Sequence, residues 1–113
     1  MTQDNLIRVQ PLEDGLCLAL AGEIDLSRSP DVRAALIQHI AGQPKRLIID
    51  LVDVPYMDSS GVATLVEALQ KQRAHGGKMI LCHLQPKVRS IFEIARLDQV
   101  FTLVDDLEQA KNA

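Results

Sequence analysis

The chain reads as an α/β protein, with a mixed β-sheet that opens in an antiparallel hairpin, continues mostly parallel, and packs against about four helices. Three observations predict this. Two apolar runs near the start flank the turn-forming Pro11-Leu12-Glu13-Asp14-Gly15. The run Leu47 to Leu51 is almost continuously apolar, as a strand covered on both faces must be. Between the later apolar runs, segments opening at Pro30, Val62 and Pro86 repeat apolar residues at helical spacing. At 113 residues the chain is long enough for one core and too short for two, so one domain over residues 1–113 is expected.

Taken in order, Leu6 to Gln10 and Leu16 to Ala21 are the two strands of the hairpin. Ser27-Arg28-Ser29-Pro30 then starts a helix, with Ser29 as the expected cap and Pro30 at the first helical position, where its missing N–H costs nothing. Val32, Ala35, Leu36 and Ile40 line its buried face, and Gly42 and Pro44 end it. Arg46 to Leu51 is the central strand, interrupted by Asp50 near its carboxyl end. After the loop Val52 to Met57, Asp58-Ser59-Ser60-Gly61 leads into a helix whose Val62, Leu65, Val66 and Leu69 recur at i, i+3, i+4 and i+7. His75-Gly76-Gly77 stops it. Lys78 to Leu84 is the next strand. Pro86 opens a helix burying Val88, Ile91, Phe92 and Ala95, Val100 to Val104 is the last strand, and Leu107 to Ala113 is a short final helix.

A 47% apolar and 24% charged composition is that of an ordinary globular domain. The formal charge of -3, with no Lys/Arg run longer than two, argues against nucleic acid or an anionic membrane surface as partner, because both require a concentrated basic face. No apolar stretch nears the roughly 20 residues of a membrane span, so no membrane insertion is expected. The polar start Met1-Thr2-Gln3-Asp4-Asn5 lacks a signal peptide's apolar segment, and a cytoplasmic location is the expectation. Cys17 and Cys82 each fall inside an apolar run, where a thiol behaves as a small buried hydrophobe. With His39, His75 and His83 scattered, none of the close ligand spacings of a zinc site is present, and no metal or other cofactor is expected.

Tyr56-Met57-Asp58-Ser59-Ser60-Gly61 joins a loop at the carboxyl end of the central strand to a helix start, the place where reactive groups gather in such sheets. With Asp58 as cap, Ser59 and Ser60 occupy the first turn, beside backbone N–H groups without helical partners. A phosphate on Ser59 would find those donors and the positive end of the helix dipole, while adding about two negative charges beside Asp58. On these four residues alone a plain helix start is the better-supported reading.

The rest of the chain shifts that balance. Leu20-Ala21-Gly22-Glu23-Ile24-Asp25 after the second strand, the strand Leu47 to Leu51, Met57-Asp58-Ser59-Ser60-Gly61, the Gly76-Gly77 stop and the Pro86-x-Val88 helix start follow one another as they do in STAS-domain anti-sigma factor antagonists. The chain resembles that family from about Leu6 to Val104. The resemblance implies a STAS-like fold and a binding module, not an enzyme. It also implies a partner that is both anti-sigma factor and serine kinase, of the histidine-kinase-like ATPase fold, which phosphorylates the first serine of the Asp-Ser-Ser-Gly run. That serine is Ser59 here. The unmodified protein would bind the kinase and free a sigma factor, the phosphorylated form would release the kinase, and a metal-dependent serine phosphatase would reset the cycle. Carried over with it are a docking surface of Gly22, Glu23, Ile24 and Asp25 together with Asp58, Ser60 and Gly61, at one edge of the sheet. STAS-like subunits also serve, without phosphorylation, as fixed parts of lipid-transport ATPases and stress-signalling scaffolds. One departure is the Ala95-Arg96-Leu97 segment, where relatives carry glycine before the leucine. Arginine in the left-handed conformation is strained, so the third helix is expected to end differently.

Other constellations carry less. Glu23 and Asp25 alternate at a strand end, where carboxylates are more often solvated or partner-facing than catalytic. Asp50 and Asp53 invite comparison with phospho-accepting receiver domains, but no acidic pair follows the first strand and the last strand has no lysine. Asp50 is instead expected to anchor its loop by hydrogen bonds. Ser59 lacks the flanking glycines of a nucleophile elbow. His75 sits where a helix C-terminus favours positive charge, and Gly76-Gly77 lacks the Lys-Ser/Thr of a phosphate-binding loop.

Overall fold

In a computed structural model, which describes residues 7–113, the hairpin strands β1 (Ile7–Leu12) and β2 (Gly15–Ala21) pair antiparallel. The expected start at Leu6 lies outside the described residues. Parallel strands β3 (Arg46–Asp53), β4 (Lys78–Cys82) and β5 (Thr102–Val104) continue a five-stranded sheet in the order β1-β2-β3-β4-β5. The connections are α1 (Ser29–Ile40), α2 (Ser59–Ala74) and α3 (Pro86–Ile94), and α4 (Leu107–Asn112) closes the chain. The fold predicted from the pattern is therefore the fold observed. Among the described residues, no helix is long and apolar enough to cross a membrane.

Strand periodicity divides the core in two. Leu47, Ile49 and Leu51 of β3, with Leu18, Leu20, Met79 and Leu81, face α1, α2 and α3 in the larger cluster. Ile48, with Cys17, Ile80 and Cys82, faces Ala110 of α4 in a smaller one. Both cysteines are buried, as their apolar neighbours required. In the larger cluster Phe92 and Phe101 meet edge to face at 5.3 Å, a geometry that adds to area burial. Gln72 of α2 is fully buried, and no periodicity marked it. Its amide donates to the Pro44 and Lys78 carbonyls at 2.8 and 3.0 Å and its Oε1 meets His75 Nε2 at 2.9 Å, so the polar groups it buries are satisfied.

Several boundaries differ from expectation. Pro11 and Leu12 continue β1, paired with Leu16 and Gly15, so the hairpin turn is tighter than the five residues expected, and β3 runs on to Asp53. Ala95, expected on the buried face of α3, lies past its last residue and is exposed. β4 stops at Cys82 because His83 takes a left-handed φ of 58°. A 3-10 turn at Leu97–Gln99 delays β5 to Thr102. At the end of α3, Arg96 adopts φ 62° and ψ 21°, so the helix ends in the conformation that glycine would take, with arginine carrying the strain.

Candidate functional site

The two segments singled out by sequence meet at the carboxyl ends of β2 and β3. After β2 the chain turns at Gly22, where φ is +87°, and its N–H donates to the Asp53 carbonyl at 2.9 Å. A side chain there would also strike the Arg28 guanidinium. Ile24 then forms a short parallel bridge to Met57, with its N–H on the Tyr56 carbonyl at 3.0 Å and its carbonyl accepting the Asp58 N–H at 3.2 Å. Ile24 is buried, and Gly61 is buried against it. A Cβ on Gly61 would lie 2.9 Å from both Ile24 Cγ2 and the Ile24 carbonyl. Both residues join the two segments from beneath, while Glu23 is exposed and Asp25 half-buried above them.

Each segment then makes the same aspartate-led turn. Asp25 Oδ1 accepts the Ser27 N–H at 3.0 Å, the Ser27 hydroxyl at 2.7 Å and the Arg28 N–H at 3.2 Å. Asp58 Oδ1 accepts the Ser60 N–H at 2.9 Å, the Ser60 hydroxyl at 2.5 Å and the Gly61 N–H at 3.2 Å. The serine hydroxyl bond is the main reason each carboxyl lies below its ordinary pKa, with backbone N–H bonds assisting and partial desolvation opposing. Asp58 is thus the N-cap of α2, as expected. Ser29 is not the cap of α1. It is the first helical residue, and its hydroxyl donates to the Asp25 carbonyl at 2.9 Å because Asp25 has already satisfied the turn's donors.

The two turns are also tied to each other. Ser29 Oγ and Ser60 Oγ are 2.8 Å apart. Farther along the two helices, Arg33 of α1 makes a bidentate pair with Glu67 of α2 at 2.6 and 2.7 Å, the geometry in which an exposed ion pair orients best. Arg28 Nη2 and Nη1 donate to the Ala21 and Glu23 carbonyls at 2.8 and 2.9 Å, holding the loop that carries Asp25.

Ser59 and Ser60 have different tasks in this arrangement. Ser60 is part-buried and its hydroxyl is shared between Asp58 and Ser29. Ser59 is exposed, and its hydroxyl has no hydrogen-bond partner among the described residues. The first-turn donors are less open than the sequence suggested, because Asp58 occupies the N–H groups of Ser60 and Gly61. An anion on Ser59 would meet a carboxylate held ionised beside it. Next to Ser59 lies an open groove lined by Tyr56, Met57, Val62, Ala63, Ile91 and Ala95. Apolar side chains stand exposed around the same end of the molecule, with Leu26 at 75% and Tyr56 at 43%.

Asp50, expected to anchor its loop, accepts the Val52 N–H at 3.0 Å and meets His83 Nδ1 at 3.0 Å. The partnership with His83 was invisible in sequence, since strand register creates it.

A hairpin leading into parallel strands, with helix starts gathered at one sheet end, is the architecture of a STAS domain. The STAS family model matches residues 7–110, and the chain belongs to that family. Within it, the chain is 32% identical over 90 residues to the anti-sigma-B factor antagonist of Listeria monocytogenes, an alignment covering 80% of this chain and 79% of that protein. It is 25% identical to an anti-sigma factor antagonist from Mycobacterium paratuberculosis, whose crystal structure superposes with a TM-score of 0.87 over 94% of this chain and 90% of that one. The Bacillus cell fate determinant SpoIIAA in its phosphorylated form shares the fold at a TM-score of 0.72 and 24% identity, covering 91% of this chain and 93% of that one.

Proposed function

We propose that this chain is an anti-sigma factor antagonist whose binding is switched by phosphorylation of Ser59. The observation that carries the reading is the division of labour between the two serines. Only Ser59 offers an exposed, uncommitted hydroxyl, at a helix start beside an apolar groove. The kinase would be the anti-sigma factor itself, of the histidine-kinase-like ATPase fold, passing the γ-phosphoryl of ATP to Ser59 Oγ and leaving ADP. A metal-dependent serine phosphatase would hydrolyse the ester.

In this reading Glu23 and Asp25 at the exposed loop, with Asp58 and Ser60 at the helix start, form the docking face, and Gly22, Ile24 and Gly61 set its shape from below. The phosphate acts electrostatically. It adds about two negative charges next to Asp58, whose Oδ1 already holds two of the first-turn donors, so little of the new charge is absorbed by the helix start. A partner seated over the turn is repelled while the hydrogen bonds that hold the turn remain. The names of the relatives support the role, and the phosphorylated form of SpoIIAA supports a fold that accommodates such a modification.

The test is the intact mass of the protein after incubation with ATP and a histidine-kinase-like ATPase encoded in the same genome. One added phosphate in the wild type and in Ser60→Ala, lost in Ser59→Ala, is expected. No phosphate with an active kinase would favour a fixed STAS subunit that works without modification.

A further inference from the structure

On the face of the sheet covered by α4, away from α1, α2 and α3, strand register places Asp50 of β3 directly opposite Cys82 of β4. The next residue, His83, leaves the strand with a left-handed φ of 58°, and its ring lies over Asp50. Asp50, Cys82 and His83 each offer one ligand atom, and these atoms all lie within 4.8 Å of one another. Among the described residues it is the one group of its kind.

We propose that Asp50, Cys82 and His83 form a binding site for Zn²⁺, with a water molecule as the fourth ligand. The spacing is close to what the ion needs. Bonds of about 2.3 Å to sulfur and 2.0–2.1 Å to nitrogen and oxygen, at tetrahedral angles, put ligand atoms about 3.3–3.7 Å apart. Here Nδ1 of His83 is 3.0 Å from Asp50 Oδ1 and 3.9 Å from Cys82 Sγ, each a few tenths of an ångström from that range, and the Asp50 and Cys82 ligand atoms lie within 4.8 Å of each other, so metal binding draws these two side chains together. The donor set of one thiolate, one imidazole and one carboxylate selects Zn²⁺ over Mg²⁺ or Ca²⁺, which take oxygen ligands.

The charge balance also fits. Cys82 exchanges its S–H for an S–Zn bond and releases one proton to solvent. With the His83 ring proton on Nε2, the Nδ1 lone pair is free for the ion, and the Nδ1–Asp50 contact is replaced by two bonds to the ion. One thiolate and one carboxylate then neutralise Zn²⁺ in a site that is largely out of water. The Val52 N–H on Asp50 Oδ1 remains in place and orients the carboxylate from outside, the arrangement that tunes metal ligands elsewhere. Entry is from the His83 side, where the ring is 32% exposed and the Asp50 carboxylate 16%, while Cys82 is fully buried.

The experiment is a Co²⁺ titration of the tag-free, reduced full-length protein, followed by displacement with Zn²⁺. The expected result is binding of one Co²⁺ per chain, with a thiolate-to-cobalt charge-transfer band in the near ultraviolet and ligand-field bands of tetrahedral strength in the visible. Zn²⁺ should abolish both. The charge-transfer band should vanish in Cys82→Ser, and affinity should fall at least about tenfold in Asp50→Asn and in His83→Ala, the range found on losing a metal-supporting group. Circular dichroism checks that each variant is folded. If Cys82→Ser fails to fold, the half-exposed His83→Ala decides. No charge-transfer band in the wild type, a band that survives in Cys82→Ser, or His83→Ala binding as tightly as the wild type would overturn the proposal.

Discussion

Asp25-Leu26-Ser27-Arg28 and Asp58-Ser59-Ser60-Gly61 make the same turn with the same three donors, yet they display different side chains from its outer corner. The first presents Leu26, three-quarters exposed, and the second presents the Ser59 hydroxyl. In each, the aspartate and the serine two residues on are consumed in holding the backbone, which leaves the side chain of the residue between them exposed, while the Leu26 N–H also helps hold the Asp58 carboxyl low. One turn therefore offers an apolar contact and the other a site that can acquire charge. Because Ile24 bridges Met57 and Ser29 meets Ser60, the two corners are fixed relative to each other. A partner docked over both corners, as proposed for the kinase, would read Leu26 and the state of Ser59 together.

The fourth position of each turn separates them most sharply. Gly61 sits where a Cβ would press on Ile24 and Met57, so Gly61→Ala should destabilise the fold by about 1–3 kcal/mol, the usual cost of overfilling a packed site, as read by chemical denaturation. Arg28 occupies the same place in the first turn and folds back onto the Ala21 and Glu23 carbonyls. Its loss should loosen the Ala21 to Glu23 loop with a smaller effect on global stability.

Leu26→Ala should leave stability within about 0.5 kcal/mol of the wild type, as exposed substitutions do, while weakening the kinase complex by about tenfold, the loss expected of an apolar interface anchor. Calorimetric binding against unchanged thermal unfolding distinguishes the two. Unaltered affinity would mean that the docking face proposed from Glu23, Asp25, Asp58 and Ser60 does not extend to Leu26.

A smaller effect is expected at the end of α3, where Arg96 holds the left-handed conformation that the aspartate-led turns avoid. Arg96→Gly should raise stability by at most about 1 kcal/mol, since relief of the left-handed strain is offset by the greater freedom of glycine in the unfolded chain.

The aspartates make a pH prediction. Both carboxyls lie below their ordinary pKa in the folded protein, so the unfolded chain takes up protons first as pH falls. The stability they contribute is fully present above the ordinary carboxylate range and is lost as pH drops below about 4. Asp25→Asn and Asp58→Asn should each flatten this acid limb of the stability profile. An unchanged limb in both would mean that the turns are held by something other than the ionised carboxylates.

Much of this could be read from the sequence, and the exceptions share a cause. The hairpin, the central strand, the helix order and the Asp58 cap follow from periodicity and from side chains acting on their nearest backbone. Ser29 is not the cap that its place before Pro30 suggests, because the donors here are met by Asp25, four positions earlier. The Ile24–Met57 bridge, the Ser29–Ser60 contact, the threefold use of Gln72 and the Asp50–Cys82–His83 group all join residues from separate elements. Register and packing create them, and a local pattern has no access to either. Arg96 stands where relatives have glycine, and the rest of the fold fixes the helix end strongly enough to impose the left-handed conformation on it.

The most direct test of the central claim is the affinity of the unmodified protein and of its stoichiometrically Ser59-phosphorylated form for the same kinase, measured by calorimetry at physiological salt. The account predicts binding at least about tenfold weaker for the phosphorylated form, a difference of about 1.4 kcal/mol, with identical thermal unfolding of the two forms taken alone. Equal affinity of the two forms would contradict it.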